Sequence, residues 1–283
     1  QDRCGLILDL EGDQRDVFAQ EYVPVKGISI DLQKYDNDDS QRMILTLDRK
    51  VDTDLFHSFC QSLVSRVRLA PDSATAVTTP FAHIKRWRSF LYGSRADVLD
   101  EHEMTGLFGE LWFLRWLYGH RLSVDEALKA WTGPDRAQHD FSFETTAVEV
   151  KAISGRSRNV VGISSEDQLE TGLDTLFLML YRVTEEGGQT EALSLNELVS
   201  LIESDLQSTG TVDTFDELLR ASGYLPMTEY DKPRFRVTAE SVFRVDNGFP
   251  RIVRSELPAG VSKVKYQIAL EVLADFKVGL DEI

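Results

Sequence analysis

Apolar and polar positions along this chain repeat with two periods, and the places where the period changes divide it. Between residues 6 and 50 the pattern is roughly two-fold. Leu6-Ile7-Leu8, Ile28–Leu32 and Met43–Leu47 predict three strands, with the acidic run Asp36-Asn37-Asp38-Asp39 turning between the last two. From Thr53 to Val67 the period lengthens, and Leu55, Phe56, Phe59, Leu63 and Val67 share one face of an amphipathic helix. Pro71–Thr79 reads as a loop and Ile84–Tyr92 as a second helix carrying Lys85, Arg86 and Arg88. This predicts an N-terminal α+β domain over residues 1–98.

The next helix has no polar face. Asp100 can cap it, Glu103 stands three residues on, and Gly119 predicts its end. Nine of the twelve residues 107–118 are apolar and lie on every side, and the charges among them are Glu110 and Arg115. A helix apolar all round is buried, so it should lie between a sheet and another layer. After a loop at Trp131-Thr132-Gly133-Pro134 come predicted strands at Asp140–Phe143, Ala147–Ile153 and Val160–Ile163. A short helix opening at Ser165 and an apolar strand at Leu176–Val183 follow. Two acidic helices are predicted at Leu195–Leu206 and Phe215–Ser222. A β-rich stretch at Arg234–Val278 closes the chain, with its best strand at Val264–Leu273. The fold class is α/β (α+β), with an αβββαβ core at 99–184 and an acidic helical then β-rich part at 185–283.

Composition narrows the setting. The 283 residues are 42% apolar and 28% charged, enough to build a core and too apolar for a disordered chain. No apolar run reaches the ~18 residues of a membrane helix, and no signal-peptide pattern opens the chain at Gln1. Cys4 and Cys60 form no CxxC, so neither a disulfide framework nor a structural zinc site is expected, and a reducing cytoplasm is. The net charge of −16 counts mildly against a nucleic-acid ligand, but it is concentrated: residues 166–231 hold fifteen acids against Arg182 and Arg220. DNA affinity depends on a local basic surface. A DNA-binding face would need the acidic segment 185–231 on the opposite side from the site.

No P-loop, GxSxG or HExxH motif occurs, and the five histidines lack metal-site spacing. What remains is Asp140, followed nine positions later by Glu149-Val150-Lys151. Phosphodiester hydrolysis with a metal needs carboxylates converging on a hard cation such as Mg²⁺, with a cationic side chain beside the scissile group. Glu149 and Lys151 are i and i+2 on a strand and point the same way, ~6.5 Å apart along it. The Val150 carbonyl points to the strand edge and could add a ligand. The pattern [DE]-x-K also occurs at Asp48-Arg49-Lys50, with Asp39 nine positions upstream, and at Asp275-Phe276-Lys277. Only the central match stands inside an αβββαβ arrangement.

These segments resemble the PD-(D/E)XK nuclease superfamily, the restriction-endonuclease-like fold. More narrowly they resemble an uncharacterised bacterial family of PD-(D/E)XK proteins encoded near phage-defence genes. The resemblance rests on Gly106-Leu107-Phe108-Gly109-Glu110-Leu111, Trp131-Thr132-Gly133-Pro134, His139-Asp140-Phe141, Glu149-Val150-Lys151-Ala152 and Ile163-Ser164-Ser165-Glu166-Asp167-Gln168-Leu169. It covers about 100–185 well and the flanks loosely. His139 stands where the superfamily has Pro. A literal Pro134-Asp135 lies five residues earlier, in a polar loop, and Asp140 is preferred because it opens a strand.

The resemblance implies a Mg²⁺-dependent DNA endonuclease, with Mn²⁺ able to substitute, in restriction or phage defence. It implies metal ligation by Asp140, Glu149, Glu110 and the Val150 carbonyl, Lys151 activating water or stabilising the phosphate, and Gln168 touching metal-bound water or DNA. Phosphates would be held by Arg156, Arg158, Lys85, Arg88, Arg234 and Arg236. Partners would be DNA, other defence-system subunits and a second copy in a homodimer, with no membrane. Plainer readings stand beside these. Glu110 could pair with Arg115, Glu149 with Lys151 on the surface, Gln168 could complete a capping box with Ser165, and the basic residues could simply be solvated. At the level of function, the alternatives are a non-catalytic DNA-binding or assembly subunit and a nuclease acting on RNA or branched DNA.

Overall fold

The computed structural model describes residues 4–22, 24, 28–35, 40–47, 53–68, 73–92, 99–135, 137–154, 159–186 and 191–283. They fall into two compact units, Gln1–Val98 with Leu225–Glu229, and Leu99–Tyr224 with Tyr230–Ile283.

The first unit contains β1 (Gly5–Glu11), α1 (Arg15–Glu21), β2 (Ile28–Tyr35), β3 (Ser40–Leu47), α2 (Thr53–Val67) and α3 (Ser73–Tyr92). Its antiparallel sheet runs β1-β3-β2, and alternate side chains of the central strand, Met43 and Leu45, are fully buried. Phe56, Phe59 and Leu63 supply the buried stripe of α2. Within the expected loop at 71–79, residues 73–79 instead form the first turns of α3, and 71–72 lie outside the described residues. Pro80 lies inside this helix and cannot donate to the preceding turn, while the Thr78 and Thr79 hydroxyls donate to the Thr75 carbonyl.

The second unit opens with α4 (Glu101–His120) and α5 (Val124–Ala130). It continues through β4 (Phe141–Phe143), β5 (Thr146–Ser154), β6 (Val160–Ile163), β7 (Thr175–Glu185), β8 (Leu193–Ser194), α6 (Leu195–Leu206), α7 (Val212–Ala221), β9 (Arg234–Arg244), β10 (Tyr266–Ala269) and β11 (Lys277–Val278). Its main sheet runs β11-β9-β7-β5-β4, with β8 also paired to β9. The β5–β7 pair is parallel, and β4–β5 and β7–β9 are antiparallel. This is a mixed α+β fold. Asp100 and Glu103 close the expected capping box on α4, and Gly119 lies inside the helix rather than ending it. The helix packs on β5 on one side and on α6 on the other, which accounts for its apolar circumference.

Two local expectations are corrected. The strand β6 pairs with β10, more than a hundred residues away, and not with the main sheet. Ser165–Gln168 opens a turn and not a helix. Both segments face a cluster of Val161, Ile163, Leu169, Leu178, Phe243 and Ile268, so side-chain burial across the unit outweighs the local pattern.

Candidate active site

The short strand β4 covers only the start of β5. It pairs Phe141–Phe143 with Thr146–Val148 and then stops, and among the described residues no strand pairs with the rest of that edge of β5. Asp140 fills the next place: its Oδ2 accepts the Val150 N–H at 2.8 Å. A strand residue turns its N–H and C=O toward the same neighbour, so the Val150 carbonyl faces this edge too. Asp140 is itself held by its backbone, whose carbonyl accepts from the N–H groups of Thr132 and Gly133, both at 2.9 Å.

Strand alternation places the other groups. Val150 and Ala152 face α4, and they do so closely: a Cβ built on Gly109 would lie 2.9 Å from the Ala152 Cβ. Gly109 therefore lets the helix settle onto the strand and brings the next residue, Glu110, to that edge. Glu149 and Lys151 alternate to the opposite face with Ala147 and Ile153. They form an ion pair at 2.6 Å, with Glu149 1% exposed and Lys151 18%. The pair is buried, unlike the surface pair that was the plain alternative.

Glu110 is not paired with Arg115. Arg115 reaches Asp205 of α6 at 3.1 Å, and the Tyr118 hydroxyl donates to the same carboxylate. Glu110 accepts instead from the Trp131 indole N–H at 2.8 Å. Its Oε2 also stands beside Gly133, where a Cβ would lie 2.9 Å from it and 3.4 Å from Asp140 Oδ1. Glycine at 133 thus leaves room for two carboxylates to approach one point. Trp131, Gly109 and Gly133 were visible only as letters within motifs, and their positioning roles emerge from these contacts.

The electrostatics follow from this crowding. Burial, then the charge of Asp140, pushes Glu110 up to about 8 against the Trp131 hydrogen bond and Lys151. Burial, then Asp140, likewise pushes Glu149 up to about 8 despite Lys151. Burial also raises Asp140, with Lys151 and the Val150 N–H opposing it. Burial works against the Lys151 charge, but Glu149, Asp140 and Glu110 outweigh it and hold the ammonium above its ordinary range. Three ionised carboxylates around one ammonium would leave two negative charges uncompensated in a poorly solvated place.

Among the described residues, no three His, Cys, Asp or Glu side chains already enclose a metal position. The donor chemistry nevertheless fits a hard divalent cation. It consists of an edge carbonyl and carboxyl groups that burial chiefly raises toward protonation, in a place short of positive charge. Glu110, Asp140, Glu149 and the Val150 carbonyl are the groups that would hold it.

A family model, DUF4420, described as "Putative PD-(D/E)XK family member", matches residues 1–271. The chain belongs to the DUF4420 family. Comparisons with curated proteins and with solved structures give no match.

Other expected site residues of this DUF4420 protein lie elsewhere or are otherwise engaged. Gln168 sits in the turn after β6, where its Oε1 accepts the Ser164 N–H at 2.7 Å, so it caps the turn. Arg234 donates to Glu197 and to the Ala192 carbonyl, and Arg236 is paired with Glu186. These arginines tie the basic C-terminal part to the acidic segment. Arg156 and Arg158 lie outside the described residues, as do the side chains of Lys85 and Arg88 and the decoy residues Asp39, Asp48 and Lys50. Asp135 is exposed in the turn Gly133–Asp135. The acidic segment is not remote from the site: α6 packs on α4, and Phe215 of α7 lies 6.3 Å from the Trp131 ring. No described helix is long and apolar enough to cross a membrane.

Proposed function

We propose that this DUF4420 protein is a Mg²⁺-dependent endonuclease that hydrolyses phosphodiester bonds in DNA. One observation supports the reading: beside the short strand β4, the carboxyl groups of Glu110, Asp140 and Glu149 and the Lys151 ammonium are buried near enough to act on one another's charge. A divalent cation held there would neutralise charge on the phosphate and make a nearby water more acidic. The chain's own groups do the rest. Lys151 stabilises charge on the phosphate oxygens as water attacks phosphorus in line. The attacking water gives up a proton to solvent, the P–O3′ bond breaks, and the leaving O3′ takes a proton from solvent, giving a 5′-phosphate and a 3′-hydroxyl. Glu149 keeps the Lys151 ammonium oriented, Trp131 orients Glu110, and the Val150 N–H fixes Asp140.

A second reading has one observation in its favour. Glu149 is 1% exposed and already paired with Lys151, which suits a DNA-binding or assembly module without catalysis. The two are separated by incubating supercoiled plasmid with the protein in Mg²⁺, Mn²⁺ or EDTA, with Lys151→Ala alongside. Metal-dependent nicking lost in the variant is the expected result. Binding without cleavage under any metal condition supports the module, and RNA or branched DNA cut in preference to plasmid redirects the substrate.

A further inference from the structure

The turn after β6 and the segment before β10 line an open cavity in the second unit. It has a volume of about 420 Å³ and is lined by Ser164, Ser165, Glu166, Asp167, Arg254, Ser262, Lys263 and Lys265. Its acids are spent on structure. Glu166, 1% exposed, accepts the backbone N–H groups of Lys263 and Val264 at 3.2 and 2.8 Å and an Arg254 nitrogen at 3.1 Å. Asp167 takes Arg254 through two hydrogen bonds, at 2.6 and 2.7 Å, and is joined by the Ser165 hydroxyl at 3.3 Å. Lys263 and Lys265, by contrast, are exposed and have no acidic partner among the described residues. The cavity lining thus carries three cationic side chains against two acids, with both lysine ammonium groups outside any described ion pair, together with serine hydroxyls, within a chain whose net charge is −16. That donor set suits a tetrahedral oxyanion.

The cavity is also tied to the carboxylate site. The Gln138 amide donates to the carbonyls of Asp167 and Glu170, and His139 Nε2 lies 3.0 Å from the Glu170 carbonyl. Gln138 and His139 immediately precede Asp140, and two residues of chain span at most about 7 Å. A wall of the cavity is therefore bonded to the segment that positions Asp140, at a separation a strand of a few nucleotides can bridge.

We propose that this cavity binds a backbone phosphate of the DNA strand, flanking the phosphodiester at the carboxylate site. Lys263 and Lys265 supply the charge, and the Glu166 and Asp167 contacts hold Arg254 and the 263–264 backbone in place. The proposal rests on the nuclease reading for its substrate class, but its test does not require cleavage.

Binding of a fluorescent DNA duplex is measured by anisotropy in EDTA over a series of salt concentrations. The proteins compared are the full chain, the double variant Lys263→Gln/Lys265→Gln, and Lys277→Gln as a surface control. The expected result is affinity about ten-fold weaker in the double variant. Its slope of log K against log salt should be shallower by roughly 0.9 for each phosphate that is no longer neutralised, with the control unchanged. Plasmid cleavage by the same double variant should show a raised KM at nearly unaltered kcat. Unchanged affinity and slope in the double variant, with cleavage by the full chain intact, overturns the subsite and leaves the nuclease reading standing. Lysine-dependent binding by a full chain that never cleaves supports the subsite and overturns the hydrolytic reading. A third arm titrates inorganic phosphate while following thermal unfolding. Stabilisation that needs the two lysines, with DNA binding indifferent to them, assigns the cavity to a free phosphorylated ligand and overturns the proposal.

Discussion

Two described stretches of this chain carry an acid, an apolar residue and a lysine in the same spacing, and they differ in almost everything else. Glu149-Val150-Lys151 lies inside the nine-residue strand β5, so its outer members share a face and join in a shielded ion pair. Asp275-Phe276-Lys277 straddles an element boundary. Asp275 lies in the last turn of the 3-10 segment Leu270–Phe276, Lys277 begins β11, and both are exposed. Around the first, a truncated neighbouring strand admits Asp140, and Gly109 admits the helix that carries Glu110. The difference shows that the motif's chemistry comes from strand register, shielding and a gap in the sheet edge. The three letters alone confer none of it.

The comparison breaks most visibly in cleavage. Glu149→Gln and Asp140→Asn should each reduce metal-dependent plasmid cleavage by about 100-fold or more, while Asp275→Asn stays within about two-fold of the parent. Equal losses from both stretches would mean that the strand environment is irrelevant. Stability sharpens the same contrast. Gly109→Ala pushes a methyl against Ala152 and should cost about 1–3 kcal/mol in urea unfolding. Gly106→Ala, on the same helix with nothing within 4 Å, should gain about 0.5–1 kcal/mol. A gain at both positions would show that α4 does not press on β5.

A smaller effect concerns pH. Burial pushes Glu110 and Glu149 up to about 8 in the folded chain, so both hold protons more tightly than an ordinary glutamate, which ionises near 4.5. Between those values the folded chain binds more protons than the unfolded one, so without divalent cation its stability falls as pH rises, then levels above about 8. The double variant Glu110→Gln/Glu149→Gln should lose that decline in urea unfolding followed across this range. An unchanged slope would place the two acids in ordinary solvent. The smallest effect belongs to Arg115→Ala. Its pair with Asp205 is 41% and 34% exposed, so the loss should stay below about 1 kcal/mol in the same unfolding experiment. A larger cost would mean that this pair holds α6 on α4.

Much of this was legible along the chain. The bounds of α2, the cap of α4 and the i, i+2 placement of Glu149 and Lys151 depend on neighbours within a few residues, and local periodicity reports them. What escaped depends on distant partners. The pairing of β6 with β10 and the neutralisation of Arg234 by Glu197 join positions far apart in the chain. Arg115, the nearest cation to Glu110 along the helix, turns to α6 instead. The Glu110–Trp131 hydrogen bond and the Gly133 clearance join motifs that read separately as a helix and a loop.

The central claim is that Glu110, Asp140 and Glu149 form one divalent-cation site. Calorimetric titration of Mn²⁺ at about pH 6.5, repeated in buffers of different ionisation enthalpy, tests it most directly, because cation binding must displace protons held by buried carboxyls. The account predicts saturable binding that releases protons from the buried carboxyls and that is lost in Asp140→Asn. Absence of saturable binding, or binding without proton release that persists in Asp140→Asn, would contradict it.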